Sequence, residues 1–325
     1  MKVMCVGTVL VDILTAPIAT EISAGQGVET PIALHPGGNA FNVSVDLVRL
    51  GVEPRNICCI GAVGEDAAGA LVRDALKTHG VEDRLPRVRN GRTGKCIILN
   101  VEDEERTFIF DKGASQYLGA NDVIRAIERY RPDIFYIGEI GALGNVNEHL
   151  PSVLRSAKDN GAITFVDYVI LDGHDPDKLF ESALLIDVLH CNDFEAEVLT
   201  EQRSPYDAAM VFHHRGFRLT FVSQGDGELI CTMYGRQRDF MPFQVDCQDS
   251  TGAGDAFVAG LMAQLIATNN KESVYWLNEQ TLYHVVRYAM AAGAAAVTEF
   301  GCTSGVSERA VQEIIDAEDR RRGRR

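Results

Sequence analysis

Apolar residues fall in short runs along most of the chain, and the spacing between them changes with position. Val3 to Leu10 is a nearly unbroken apolar run bounded by Asp12, and it reads as a buried strand. A mixed loop rich in Gly, Thr and Pro runs from there to Pro36. From Gly37-Gly38-Asn39 onward, Phe41, Val45, Val48 and Leu50 recur near one helical face, and Gly51 supplies a stop. Ile57 to Val63 predicts a strand, and Asp66 to His79 a helix. Lys95 to Val101 and Arg106 to Phe110 are β-like and are joined by the acidic turn Glu102 to Glu105, which is a hairpin signature.

From Asn121 the pattern becomes regular. Helices are expected over 122–130, 147–160 and 177–185, and strands over 134–137, 163–166 and 188–190. Further helices follow near 195–200 and 206–214, then a strand over 219–223. Short apolar strands separated by helices imply βαβ units and a parallel sheet covered on both faces. The expectation is an α/β fold: a three-layer α/β/α Rossmann-like sandwich with a central, mostly parallel sheet. The β-rich segments at about 11–36 and 93–112 break the alternation. They read as strands of a small lid inserted into one domain that spans 1–325.

Composition narrows the function. Of 325 residues, 46% are hydrophobic and 24% charged, which excludes a largely disordered chain. The net charge is −15, although five arginines crowd into residues 320–325. An acidic body repels phosphate backbones, so a nucleic-acid partner is not expected, and the arginines read as a solvated, flexible end. The eight cysteines include no CxxC pair, so they suit a reducing, cytoplasmic setting rather than a disulfide framework. No apolar stretch reaches ~18 residues, so no membrane span is expected. Lys2 and the run after it mimic the start of a signal peptide, but Asp12 interrupts the run and a buried strand is the better reading.

The most informative segment is Asp249-Ser250-Thr251-Gly252-Ala253-Gly254-Asp255. It follows a β-like stretch, 237–245, and precedes a helix whose Phe257, Val258, Leu261, Met262, Leu265 and Ile266 mark an apolar face. Small residues let backbone N–H groups approach a ligand, and a helix N-terminus favours an anion. Asp255 sits in the first turn of that helix. It could merely cap the helix, or it could be a general base beside an anion hole, a pairing suited to phosphoryl transfer. A dinucleotide fingerprint fails here because Phe257 stands where glycine is needed, which argues against a nicotinamide oxidoreductase. A P-loop is absent as well, because Gly94-Lys95 is followed by Cys96.

Two signatures make the sequence resemble the ribokinase-like (PfkB) family of carbohydrate kinases. They are PGGNAFNVSVDLVRLG (36–51) and DSTGAGDAFVAGLM (249–262), supported by AVGEDAAG (62–69), ERTFIF (105–110) and CNDFEAEVLT (191–200). The resemblance covers nearly the whole chain. It implies the ribokinase-like fold and an ATP-dependent transfer of the γ-phosphoryl group to a hydroxyl of a small sugar. A nucleoside kinase of the same fold and a non-catalytic sugar-binding protein are the alternatives. The resemblance implies Asp255 as the base, with Gly252, Ala253 and Gly254 as the anion hole. Asp12, Gly37, Gly38 and Asn42 would hold the sugar. Asn192 and Glu195 would position Mg²⁺ and the ATP phosphates, largely through water, and Ser223 and Gly225 would lie on the nucleotide side. Main-chain oxygens of Asp249 and Thr251, with others near 297–302, would bind a monovalent cation such as K⁺.

Other residues carry less. Where many sugar kinases of the family have DxNxR, this chain reads Asp167-Tyr168-Val169-Ile170-Leu171, which argues against a keto-acid or phosphorylated sugar. Gly225-Asp226-Gly227 is one residue shorter than the usual GxxG, and Met290 makes the adenine side more apolar. His213-His214 reads as a solvated helix end rather than a metal pair, and His190-Cys191 as core packing. Glu139 could reach a sugar or remain a plain loop carboxylate. The run Ala289 to Ala296 reads as close helix packing, and Trp276 has no functional role. Lid edges left unpaired would pair two copies into a homodimer.

Overall fold

Runs of β-branched and aromatic residues too short for helices become strands, and the amphipathic stretches between them become helices that cover the strands. The computed structural model describes residues 1–16, 18, 25, 27–101, 107–170, 176–268 and 278–323. The first part of the chain forms β1 (Val3–Val6), β2 (Leu10–Thr15), β3 (Ile32–Gly37), α1 (Asn39–Arg49), β4 (Ile57–Ile60), β5 (Val63–Gly64) and α2 (Ala67–Thr78). Next come β6 (Glu82–Asp83), β7 (Arg87–Val88), β8 (Gly94–Leu99), β9 (Thr107–Asp111), α3 (Ala120–Tyr130), β10 (Ile134–Gly138), α4 (Leu150–Asp159) and β11 (Ile163–Asp167). After them lie α5 (Asp177–Glu181), β12 (Val188–Asn192), α6 (Asp193–Thr200), α7 (Pro205–His214), β13 (Leu219–Ser223), β14 (Leu229–Met233) and β15 (Arg236–Phe240). The helices α8 (Ala253–Ala267), α9 (Glu279–Ala296) and α10 (Glu308–Gly323) end the order.

The large sheet runs β15-β14-β13-β12-β11-β10-β1-β4-β6. Its strands from β13 through β6 pair in parallel, and β14 and β15 add an antiparallel edge. Alternation along the strands feeds two cores. Val3 and Cys5 face a cluster with α1, α8 and α9, while Met4 and Val6 face another with α3, α4 and α7. This is the expected three-layer sandwich. The small sheet, β3-β2-β8-β9, is the lid.

Several boundaries differ from the sequence expectation. The run Val3 to Leu10 is not one strand. It breaks over Gly7 to Val9, where the chain leaves the large sheet for the lid, so Asp12 lies inside β2 rather than at a strand end. The loop expected up to Pro36 contains β3, and Ile57 to Val63 divides at Gly61. The β-like stretch before α8 is confined to β15, and β14 was not anticipated. The acidic turn at 102–105 and Trp276 lie outside the described residues.

The helix after the glycine-rich turn is not amphipathic. Every residue from Asp255 to Ala263 is buried. Small residues on its remaining sides admit α9, and a Cβ added at Gly260 would stand 2.7 Å from Ala289 Cα. Residues 320–323, expected as part of a flexible end, instead continue α10. Glu318 gives Arg322 an i,i+4 partner at 2.9 Å, and arginines in the last turn complement the helix dipole.

Phe135 on β10 is fully buried beneath the α3 and α4 layer. Phe135→Ala is expected to lower unfolding free energy by about 3–5 kcal/mol in urea titration, through lost burial and the cavity left behind.

Candidate active site

The turn before α8 is held by the carboxylate of Asp249. Its Oδ1 accepts from the Thr251 amide at 2.8 Å and its Oδ2 from the Gly301 amide at 3.1 Å, which ties the turn to the segment after α9. Gly252 caps α8 at φ +84, and a Cβ there would stand 2.3 Å from the Cys302 carbonyl oxygen, so no side chain fits. The amides of Ala253, Gly254 and Asp255 open the helix, where N–H groups lack intrahelical partners and the dipole is positive.

Asp255 is buried, and its carboxylate is gripped from α1. Asn39 Nδ2 donates to Oδ1 at 2.8 Å, and Asn42 Nδ2 donates to Oδ2 at 2.9 Å. These amides can reach it because α1 starts abruptly at Gly38, whose φ is +89 and whose missing Cβ would stand 2.6 Å from Thr8 O. Asn42 was expected in the site. Asn39, three residues earlier on the same helical face, was missed, although that spacing signals it.

Asp12 points from β2 toward the same place. Its cross-strand partners are His35 on β3 and Cys96 on β8, and Cys96 in turn faces Phe110 on β9. Cys302 Sγ donates to Asp12 Oδ2 at 3.4 Å, and Gly37 lies so close that an added Cβ would fall 2.0 Å from that oxygen. Glu139 joins them from the end of β10, in a left-handed conformation, accepting a hydrogen bond from Thr8 Oγ1. Of its two sequence readings, the structure therefore supports proximity to the Asp12 site. Burial, and then repulsion from Asp255, Asp12 and Asp167, holds the Glu139 carboxyl well above the ordinary range. Burial likewise pushes Asp12 up to about 7, against the Cys302 contact. Asp255 rises to about 7 through burial and the Asp167 charge, opposed by Asn42, Asn39 and His190.

The ends of β11, β12 and β13 carry the remaining residues. His190 is not simply core packing. Its Nδ1 lies 2.7 Å from Asp167 Oδ1 and its Nε2 lies 3.1 Å from Ser223 Oγ, while Tyr136 OH donates to Asp167 Oδ2 at 3.2 Å. The ring lies under the glycine-rich turn, 3.2 Å from where a Cβ on Gly254 would be. Burial alone would lower the His190 pKa, but the charge and hydrogen bond of Asp167 bring the net shift upward. Asn192 and Glu195 form a capping box. Glu195 N donates to Asn192 Oδ1 at 2.8 Å, and Asn192 N donates to Glu195 Oε2 at 2.7 Å. Burial raises Glu195 to about 7 despite that amide. Asn192 is in register with Ser223, and Gly225 lies in the turn just beyond. His213 and His214 close α7 away from these residues, and no metal-holding group of three His, Cys, Asp or Glu occurs among the described residues.

The chain now has two clusters joined at the start of α8. One is rich in hydroxyl acceptors, and the other lies at the ends of adjacent parallel strands. Residues 1–309 match the family model described as pfkB family carbohydrate kinase. The chain belongs to the pfkB family of carbohydrate kinases. It is 27% identical to a ribokinase of Haemophilus influenzae over 289 residues, covering 86% of each chain. It is 30% identical to an aminoimidazole riboside kinase of Salmonella typhimurium over 284 residues, covering 83% of this chain and 84% of that one. A solved Xylella fastidiosa fructokinase with bound ATP has a TM-score of 0.81 at 23% identity, covering 98% of this chain and 99% of that one. The fold is the ribokinase-like one, and the chain is an ATP-dependent kinase of a sugar or nucleoside hydroxyl.

The raised pKa of Asp12 has a consequence for this pfkB kinase. The folded protein retains a proton at Asp12 that the unfolded chain has released, so stability falls as pH rises from about 4 to about 7. Asp12→Asn is expected to be more stable than wild type at pH 8, by on the order of a few kcal/mol, with the difference vanishing near pH 4. Thermal melts at the two pH values check this.

Proposed function

We propose that the acceptor is an uncharged small sugar and that Asp255 is the general base for its phosphorylation. The observation that carries this reading is the carboxylate of Asp255, held by Asn39 and Asn42 at the mouth of α8 beside the acceptor-rich cluster. Asp12, Asn39 and Glu139 offer oxygens that pair with sugar O–H donors, Asn42 has a second Nδ2 hydrogen to give a sugar oxygen, and Asn39 Oδ1 is buried without a donor. None of the side chains named around Asp12 is a lysine or arginine, so a phosphorylated or keto-acid substrate finds no counter-charge among them. Gly37 and Gly38 let the backbone approach the sugar.

In the proposed step the attacking hydroxyl gives its proton to Asp255 while its oxygen bonds to the γ-phosphorus and the bond to ADP breaks. The amides of Gly252, Ala253 and Gly254 hold the transferring phosphoryl oxygens. Ser223 and Gly225 would lie against the nucleotide. Asn192 and Glu195 would position Mg²⁺ through water, which suits a capping box whose oxygens are already engaged and an ion that keeps several waters. When bound, Mg²⁺ neutralises charge on the ATP phosphates. A monovalent cation such as K⁺ is placed at the main-chain oxygens of Asp249 and Thr251. The Val297 carbonyl is less suited, because it already accepts from the amides of Gln248 and Asp249. A nucleoside is the second reading, favoured by the apolar patch of Leu14, Cys96, Ile98 and Phe110 on the lid, which could cover a base.

The protein is placed in the cytoplasm as a homodimer. All eight cysteines are free thiols, and no helix among the described residues is long and apolar enough to cross a membrane. Leu34, Ile13, Ile97 and Ile109 form one cross-strand row on the lid face opposite Asp12, and Leu34 and Ile109 are more than half exposed. Such a row suits burial against a second copy.

With ATP, Mg²⁺, K⁺ and a panel of D-ribose, D-fructose, other pentoses and hexoses, and nucleosides, ADP release is expected with at least one free sugar. Asp255→Asn should reduce kcat by about 10²–10⁴-fold. Wild-type turnover by that variant would refute the base assignment, and a nucleoside outcompeting every sugar would select the second reading. Leu34→Lys should shift the sedimenting species from dimer to monomer. A monomeric wild type would remove the dimer.

A further inference from the structure

Helix α1 carries a polar stripe where an apolar one is expected. Asn39, Asn42, Asp46 and Arg49 recur at three- and four-residue spacing, so they share the face that meets α8. Asn39 and Asn42 are explained by Asp255. Asp46 is not: it is fully buried, and both of its carboxyl oxygens lack any hydrogen-bond donor. An ionised carboxylate left in that state is costly. Arg49 does not satisfy it in this arrangement: its Nη1 donates to the carbonyls of Ser304 and Val306 at 3.0 and 3.3 Å, and its Nε is buried but has no partner, Asp46 included.

One helical turn before Asp46 lies a second orphan. Asn42 uses Nδ2 on Asp255, and its buried Oδ1 accepts nothing. Side chains four residues apart on a helix are neighbours, so the unpartnered acceptors of Asn42 and Asp46 belong to the same stretch of one helical face. A single proton on Asp46 resolves both. We infer that Asp46 is a positioning residue: its carboxyl donates a hydrogen bond to Asn42 Oδ1, directly or through one enclosed water, and so fixes the amide that holds Asp255. This rests on Asp255 being the base. Without that donor the Asn42 amide loses its reason to keep Nδ2 toward Asp255, and half the grip on the carboxylate loosens.

The groups around Asp46 favour the protonated form. Burial is the largest influence, Asp255 on α8 repels a second negative charge, and only Arg49, one turn further along α1, opposes them; the net direction is well above the ordinary range. The thiols of Cys5 and Cys59, on the strands beneath α1, are held neutral by burial and add no charge.

The test is carboxyl ¹³C NMR titration of protein labelled at the aspartate side-chain carbon. Asp46 and Asp255 are assigned by Asp46→Asn and Asp255→Asn. The Asp46 carbon should keep its protonated shift through neutral pH. Asp46→Ala should raise the Asp255 midpoint by about one pH unit, whereas Asp46→Asn, whose amide can still donate to Asn42 Oδ1, should leave it within a few tenths. In turnover of D-ribose or D-fructose, whichever is the better acceptor, Asp46→Ala should lower kcat about tenfold with KM for ATP unchanged, and Asp46→Asn should restore most of it. An Asp46 that titrates near the usual aspartate value, or an Asp255 midpoint that falls in both variants, would show an ionised Asp46 and overturn the inference. Unchanged midpoints in both variants overturn it as well. The NMR midpoints do not require turnover, so they stand apart from the Asp255→Asn kinetics that test the base itself.

Discussion

Two amides from one end of the chain grip a carboxylate from the other, and the site depends on that contact. Asn39 and Asn42 lie 216 and 213 residues from Asp255. The contact requires α1 and α8 to pack closely, and α8 in turn packs against α9 along small residues such as Gly260 and Ala289. A carboxylate buried this deeply needs donors, because an unpaired charge would either unfold the interface or take up a proton. The amides meet that requirement without neutralising the carboxylate, which a lysine or arginine in their place would do. Asp255 is thereby held in one orientation while its affinity for a proton remains high.

The surroundings carry the same logic further. Asp12, Glu139, Asp167 and Asp255 act on one another, and the partners they have within the chain are weak donors: a thiol, a threonine hydroxyl, amides and a tyrosine. The stronger compensation sits at one edge, where His190 bridges Asp167 and Ser223 beneath Gly254. A cluster with surplus acceptors has room for donors from what binds it, and the hydroxyls of the proposed sugar would supply them. An acidic composition is therefore no obstacle to an enzyme of phosphate chemistry. Positive potential is supplied locally by the start of the helix.

Local features were legible in the sequence and long-range pairings were not. The glycine turn ahead of Asp255 announced itself, because tight backbone followed by an apolar helical run is a local pattern. The strand–helix alternation after Asn121 was also clear, since each element there is complete within about ten residues. The lid was seen only as an irregularity. Leu10 continues the apolar run of β1 without a break, and only tertiary structure shows the chain turning at Gly7 into another sheet. His190 looked like packing because its meaning depends on Asp167 and Ser223, which lie on neighbouring strands. Asn39 and Glu139 escaped or stayed undecided for the same reason: each acts on a residue far away in the chain. The amphipathic pattern assigned to α8 failed because alanine and glycine read as weakly polar on a wheel but serve as contact surface when a second helix lies against them.

The sheet topology explains why these pairings can form. In a parallel sheet every strand ends on the same side, so residues that finish successive strands converge however far apart they are in sequence. Here Glu139 follows β10 directly, β11 ends at Asp167, β12 carries His190 and ends at Asn192, and β13 ends at Ser223, in the spatial order of the sheet. The chain leaving β1 on that same side becomes the lid and brings Asp12, while the central position of β1 places the lid over the β10 end rather than the β13 end. The cluster of Asp12 and Glu139 and the cluster of His190, Asn192 and Ser223 are thus separated by strand order, and α8 begins between them. A reversed β1 would carry Asp12 to the opposite edge, away from Asp255. Strand direction, more than any single side chain, therefore gathers residues distant in sequence around the Asp255 carboxylate.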